Sequence, residues 1–269
     1  MLTCKTIKAN ILTNPQRGFL KNSNHRTHYS KLWGLTTIGM INMKGYKRLC
    51  GACIIFGILP CTGLAVAFHN VPENLSIHKG RLIEYHDSGQ YYGDISSVTQ
   101  RALYYLKFRI NQNKRLKQPK KLAVVFDIDE TALTNYDDMR HLNFGGTEDN
   151  KEILEADAHD PAIPYSRTLY TFAKSHGVSV FFITGRRERL RKPTITNLTQ
   201  DGYTQWAGLF MKPNTYNKPS VVPYKVAMRK KIIKMGYDIV FNLGDQESDL
   251  AGGFADMTFK VPDPFYITA

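Results

Sequence analysis

Two aspartates one residue apart, Asp127 and Asp129, end the apolar run in "VVFDIDETALTN", residues 124–135. Like charges held together are costly unless a cation or a proton is shared between them. Alone, the pair also fits a turn or a helix cap with solvated carboxylates. Three further polar features follow apolar stretches. In "FFITGR", Thr184 and Gly185 offer a hydroxyl and backbone N–H groups suited to phosphate oxygens, or merely a strand end followed by a glycine turn. In "PYKVAMRKK", Lys225 lies at a predicted helix start, where a cation is unfavourable unless an anion is also present. Its bland alternative is a solvated lysine among several. In "NLGDQESDL", Asp245 and Asp249 offer two more carboxylates, or a helix cap. Carboxylates from two strand ends aimed at one another suggest a hard-cation site of the kind Mg²⁺ occupies, often bridged to a substrate phosphate.

Such groups converge only if the strands carrying them lie side by side and parallel, with their carboxyl ends opening on one crevice. The pattern supports that arrangement. A helix is predicted over about residues 94–113, with Asp94 as its N-cap and Val98, Ala102, Leu106 and Ile110 on one face. The basic connector "NKRLKQPKK" leads into a first strand, 122–127. There follow a helix over 164–176 stopped by Gly177, the strand "VSVFFIT", a helix over 187–200 and the strand "GLFMK". A helix over 224–235 and the strands "DIVFNLG" and "MTFKVP" complete the alternation. Continuous apolar strands indicate a parallel sheet covered on both faces. The expectation is a three-layer, doubly wound α/β fold. Residues 133–163 are polar and acidic, break the alternation, and read as a small inserted cap.

The order, strand placement and separation of the four features resemble the haloacid dehalogenase (HAD) superfamily of phosphohydrolases. "DIDET", "FITGR", Lys225 and "GDQESD" match its four motifs in turn. The detail "FDIDETALTN…FFITGR…YK…GDQESDL" is most similar to the acid phosphatase branch that includes bacterial secreted acid phosphatases and plant vegetative storage proteins. The likeness covers roughly residues 80–265.

The resemblance implies a Mg²⁺-dependent hydrolysis of small phosphomonoesters, nucleotides among the candidates. It assigns nucleophilic attack to Asp127 and proton transfer to Asp129, whose negative neighbours are expected to raise its pKa. Asp127, the backbone carbonyl of Asp129, Asp245 and Asp249 would hold the metal, with Asp249 direct or through water. Thr184, Gly185 and Lys225 would hold phosphate oxygens, with Arg186 as a further substrate contact. Tyr136 and Phe144 in the cap either stack on an aromatic leaving group or pack internally. A storage or binding protein on the same fold, and a phosphotransferase, are the alternatives.

Charge is distributed unevenly. The net charge is +13, yet residues 1–67 hold nine Lys/Arg and no acid, leaving the rest only weakly basic. That speaks against a nucleic-acid polymer as partner, because a binding domain needs its charge clustered on the fold. Lys44, Lys47 and Arg48 precede an uncharged apolar run that ends in "AVA", residues 65–67. This pattern predicts a signal peptide over 43–67, cut after Ala67, and a periplasmic or secreted domain over 68–269 with no stable membrane partner. An uncleaved anchor is the alternative. Residues 1–42 read as a lead that translation from Met40 or Met43 would omit. Cys4, Cys50, Cys53 and Cys61 all precede the domain, so it has no disulfide. A homo-oligomer is compatible with all of this.

Overall fold

The computed structural model describes residues 72–267. The lead, the signal segment with its cleavage point, and all four cysteines lie outside the described residues. Five parallel strands form one sheet in the order β3-β2-β1-β4-β5: β1 Lys121–Phe126, β2 Ser179–Arg187, β3 Gly208–Lys212, β4 Tyr237–Gly244 and β5 Met257–Lys260. From the central β1 the chain winds outward to β3, then returns to place β4 on the other side. The direction therefore reverses between β1 and β4, where a doubly wound sheet opens its crevice.

Successive strand side chains point to opposite faces. Leu122, Val124 and Phe126 of β1 and Val180 and Phe182 of β2 enter one core, with Tyr91, Ile95, Ala102 and Leu106 of helix α2 (Gln90–Lys114). Helix α5 (Pro164–Ser175) adds Leu169, Tyr170 and Ala173 to that core. Ala123, Val125, Phe181 and Ile183 enter the opposite core with Tyr224 and Ile232 of α7 (Val222–Lys234). Both faces are thus covered, as the uninterrupted apolar runs require. In β4, Val240 bulges between the partners of Ala123 and Val124, so Val240 and Phe241 share one core.

Several boundaries differ from the sequence expectation. Helix α2 starts at Gln90 behind Gly89, whose φ of 83° suits glycine, so Asp94 is not its N-cap. The Asp94 carboxylate instead accepts the Tyr85 hydroxyl at 2.8 Å. Tyr85 belongs to α1 (Leu75–Asp87), a helix with no buried residue and hence no apolar stripe to announce it. Strand β2 continues to Arg187, and a 3-10 turn over Glu188–Leu190 precedes α6 (Arg191–Gln200). The insert holds two short helices, α3 (Tyr136–His141) and α4 (Glu148–Ala156), the latter closed by a Thr147–Asn150 capping box. Its two ends are pinned together: Ile163 N–H donates to Ala132 at 2.9 Å and Thr134 N–H to Pro161 at 3.0 Å. Helix α8 (Glu247–Leu250) follows β4.

Candidate active site

Beyond the last residue of β1, Asp127 N–H donates to the Leu243 carbonyl of β4 at 3.0 Å, so the first aspartate still sits on the sheet. The chain then turns sharply. The Ile128 carbonyl accepts the N–H groups of Thr131, Ala132 and Leu133, and Glu130 adopts a left-handed φ of 48°. Ile128 points into the core, which leaves Asp127 and Asp129 on the crevice side. Fully buried Glu130 secures the turn. Its carboxylate accepts the Tyr91 hydroxyl of α2, the Thr134 hydroxyl at 3.2 Å and the Asn135 N–H at 2.5 Å.

Asp245 leaves the end of β4 beside this turn and accepts the Thr131 hydroxyl at 2.9 Å. Its other oxygen takes the Gln246 amide at 2.6 Å. Asp249, in α8, accepts the Gln246 N–H at 2.9 Å. Oxygens of Asp127, Asp245 and Asp249 all lie within 4.8 Å of one another, and all three residues are buried. Against them stands Lys225, in the first turn of α7 and 4% exposed. Its ammonium donates to Asp127 at 3.0 Å and to Asp249.

Three carboxylates and one ammonium leave negative charge uncompensated. Burial and the Asp249 charge push the Asp127 carboxyl well above the usual range, against the pull of Lys225. Burial and Asp249 do the same to Asp245, with Asp263 adding to the effect. Burial alone would lower the Lys225 pKa, but Asp127 and Asp249 raise it. An all-oxygen cluster with surplus negative charge fits a hard divalent cation such as Mg²⁺.

Asp129 behaves differently from the sequence expectation. Burial would raise its pKa, but Arg186 and Lys151 outweigh that and lower it to about 2. Arg186 Nε and Nη2 both donate to one Asp129 oxygen, at 3.0 and 2.8 Å, and Nη2 also reaches Asp160 at 2.8 Å. The guanidinium is therefore held by two carboxylates of the protein rather than free for substrate, although Arg186 lines the cleft and its buried Nη1 lacks a protein partner among the described residues. Gly185 also lines the cleft. Thr184 is fully buried beneath the floor, its hydroxyl accepting the Arg186 N–H at 3.0 Å.

Tyr136 packs internally, stacked on His86 with ring centroids 3.4 Å apart. Phe144 stacks near Phe265 at 6.1 Å, on a groove that joins the cleft at Lys151 and Tyr266. Sequence reasoning missed several cleft residues: Lys151 and Glu155 of α4, Lys212 at the end of β3, and Tyr266. The Lys151 ammonium lies 3.7 Å from Glu155 and 4.2 Å from the Tyr266 ring centroid. Burial, reinforced by the Asp129 charge, raises the Glu155 carboxyl to about 7. No motif marks these positions. Gln246 and Ser248, which also line the cleft, lie inside "GDQESD" and so had a sequence signal.

The family model for HAD superfamily, subfamily IIIB (acid phosphatase), matches residues 63–269. The chain belongs to this family. It is an acid phosphatase, a hydrolase of phosphoric monoesters. It is 31% identical over 211 residues to vegetative storage protein 1 of Arabidopsis thaliana, covering 76% of this chain and 74% of that protein. With acid phosphatase 1 of Solanum lycopersicum it shares 36% identity over 148 residues, 53% of this chain and 57% of the other. The structure of the class C acid phosphatase from Bacillus anthracis has the same fold, with a TM-score of 0.56 at 19% identity over 72% of this chain and 87% of that one.

Proposed function

We propose that this acid phosphatase is exported, depends on Mg²⁺, and hydrolyses small phosphomonoesters through an aspartyl-phosphate on Asp127. The observation that carries the reading is the cluster of Asp127, Asp245 and Asp249 with one paired lysine at the carboxyl ends of β1 and β4. An Asp127 oxygen attacks phosphorus, and the bond to the leaving oxygen breaks as that oxygen takes a proton from Asp129. Asp129 next removes a proton from water, which attacks phosphorus and releases phosphate from Asp127.

Asp129 must carry a proton for the first step, yet Arg186 keeps it ionised in the free protein. The charge of a bound phosphate beside it raises its pKa, and acid pH supplies the proton. Asp127, Asp245, Asp249 and the Asp129 carbonyl would hold Mg²⁺, which when bound offsets the negative charge of the carboxylates and the phosphate. Lys225, the Gly185 N–H and the Thr184 hydroxyl, which retains its own proton to donate, would hold the non-bridging oxygens. Arg186 orients Asp129 and has Nη1 left for substrate.

Likeness to a vegetative storage protein supports a storage role as a second reading, alongside the activity rather than in place of it. Transfer of the phosphoryl group to an alcohol instead of water is the third. The test is hydrolysis of p-nitrophenyl phosphate and of a nucleoside monophosphate panel, with Mg²⁺ or with chelator. Asp127→Asn is expected to lose activity at least about a thousandfold, and chelation to abolish it reversibly. Undiminished turnover by the variant would sink the covalent mechanism. For export, the secreted protein is expected to begin at Phe68.

A further inference from the structure

Strands β2 and β3 deliver two cations to one side of the cleft. Their register skips from Thr184–Met211 to Arg187–Lys212, so Arg187 and Lys212 become neighbours at the strand ends. Both line the same cleft as Asp127, Gly185 and Lys225.

Most of the basic groups in this cleft already have acidic partners. Lys225 is held by Asp127 and Asp249, and Arg186 by Asp129 and Asp160. Arg187 lies 3.2 Å from Glu152 and donates to the carbonyls of Asn214 and Tyr216. Lys151 has Glu155. The Lys212 ammonium makes no hydrogen bond and no ion pair among the described residues, although the residue is only partly exposed. Burial lowers its pKa and Arg187 lowers it further, whereas Glu148 and Glu152 favour its charge without pairing with it. A half-buried ammonium with a cation for its neighbour and no protein group paired to it among the described residues is complementary to an anion.

We propose that Lys212 binds a second anionic group, carried on the leaving group of the substrate. This rests on the phosphomonoester site proposed above and narrows its substrates to esters bearing a carboxylate or a second phosphoryl-type anion besides the phosphate that is hydrolysed. The ester phosphate occupies the Asp127–Lys225 end of the cleft while the second anion lies at the ends of β2 and β3.

The test compares phenyl phosphate with its carboxyphenyl and phosphonophenyl analogues, each as the 3- and 4-substituted isomer, in the Mg²⁺-loaded full-length enzyme. The quantity read is the ratio of kcat/KM for each charged ester to that for phenyl phosphate. At low salt the wild type is expected to favour at least one charged isomer by about tenfold, and added salt to erode the preference. Lys212→Gln is expected to bring the ratio to about one, Lys212→Glu to invert it, and Lys212→Arg to preserve it. The carboxylate and phosphonate arms identify which second anion is preferred. Wild-type ratios of one or less for every charged isomer overturn the proposal without any variant, as does a preference that survives Lys212→Gln. Either result would leave phenyl phosphate hydrolysis, and thus the phosphatase reading, intact.

Discussion

Replacing Arg186 with methionine removes the cation that bridges Asp129 and Asp160 while keeping much of the buried volume. Both carboxylates are buried: Asp129 is 6% exposed and Asp160 3%. Asp129 carries its carboxyl from 3.8 down to about 2 because Arg186 and Lys151 outweigh the burial that would raise it. At about 1.4 kcal/mol per tenfold change in proton affinity, that shift contributes on the order of 2 to 3 kcal/mol to stability. Because the folded value is the lower one, the contribution is present above 3.8 and lost as pH falls through about 2. In Arg186→Met, both carboxylates lose their closest cation, so burial pushes Asp129 upward and lifts Asp160, which burial already raises in the wild type, further still. The expected deficit is about 3–5 kcal/mol near neutral pH, typical of a broken buried pair. Acidification lets the two carboxyls take up protons in the folded variant, while in the wild type Asp129 stays ionised and paired with Arg186 near pH 4. The deficit should therefore shrink by at least about 1 kcal/mol between about pH 7 and about pH 4. Denaturant titrations of both proteins in chelator measure it. An equal deficit at the two pH values would refute the assignment of Arg186 as the compensating charge for this acidic pair.

Tyr91→Phe withdraws the hydroxyl that α2 donates to buried Glu130, leaving the Thr134 and Asn135 donors in place. A loss of about 1–3 kcal/mol in denaturant unfolding is expected, and unchanged stability would mean the hydroxyl contributes nothing to the turn after Asp129. Gly244→Ala adds a Cβ that overlaps the Asp249 side chain. Displacing that carboxylate should weaken Mg²⁺ by at least about tenfold in calorimetry, whereas wild-type affinity would remove Asp249 from the metal set.

Strands β1, β2 and β4 were legible because each is a run of apolar residues buried on both faces, a local pattern that few other elements of a folded chain produce. Their ends were legible too, since a charged or hydroxyl residue terminating such a run stands out; Asp127, Thr184 and Asp245 were found that way. Helix starts were less clear. Asp94 has the chemistry of an N-cap, but burial of Tyr91 and Ile95 against the sheet draws the helix back to Gln90. Helix α1, which has no fully buried residue, left no periodic trace. The cleft residues Lys151, Glu155, Lys212 and Tyr266 come from a cap helix, an edge strand and the C-terminal segment, none with a local signature.

The sequence by itself determined the parallel α/β architecture, the chemistry at the strand ends and the phosphatase family, because these depend on residue type and order along the chain. Tertiary structure decided how each charge is compensated. From sequence, Asp129 has acidic neighbours that argue for a raised pKa; in the folded protein Arg186, 57 residues away, lies 2.8 Å from it and reverses the sign. Tyr136 likewise became packing rather than a substrate contact, and Lys212 was left as a cation without a partner among the described residues. Electrostatic energy depends on distance and burial through space, and neither quantity is written in the local order of the residues.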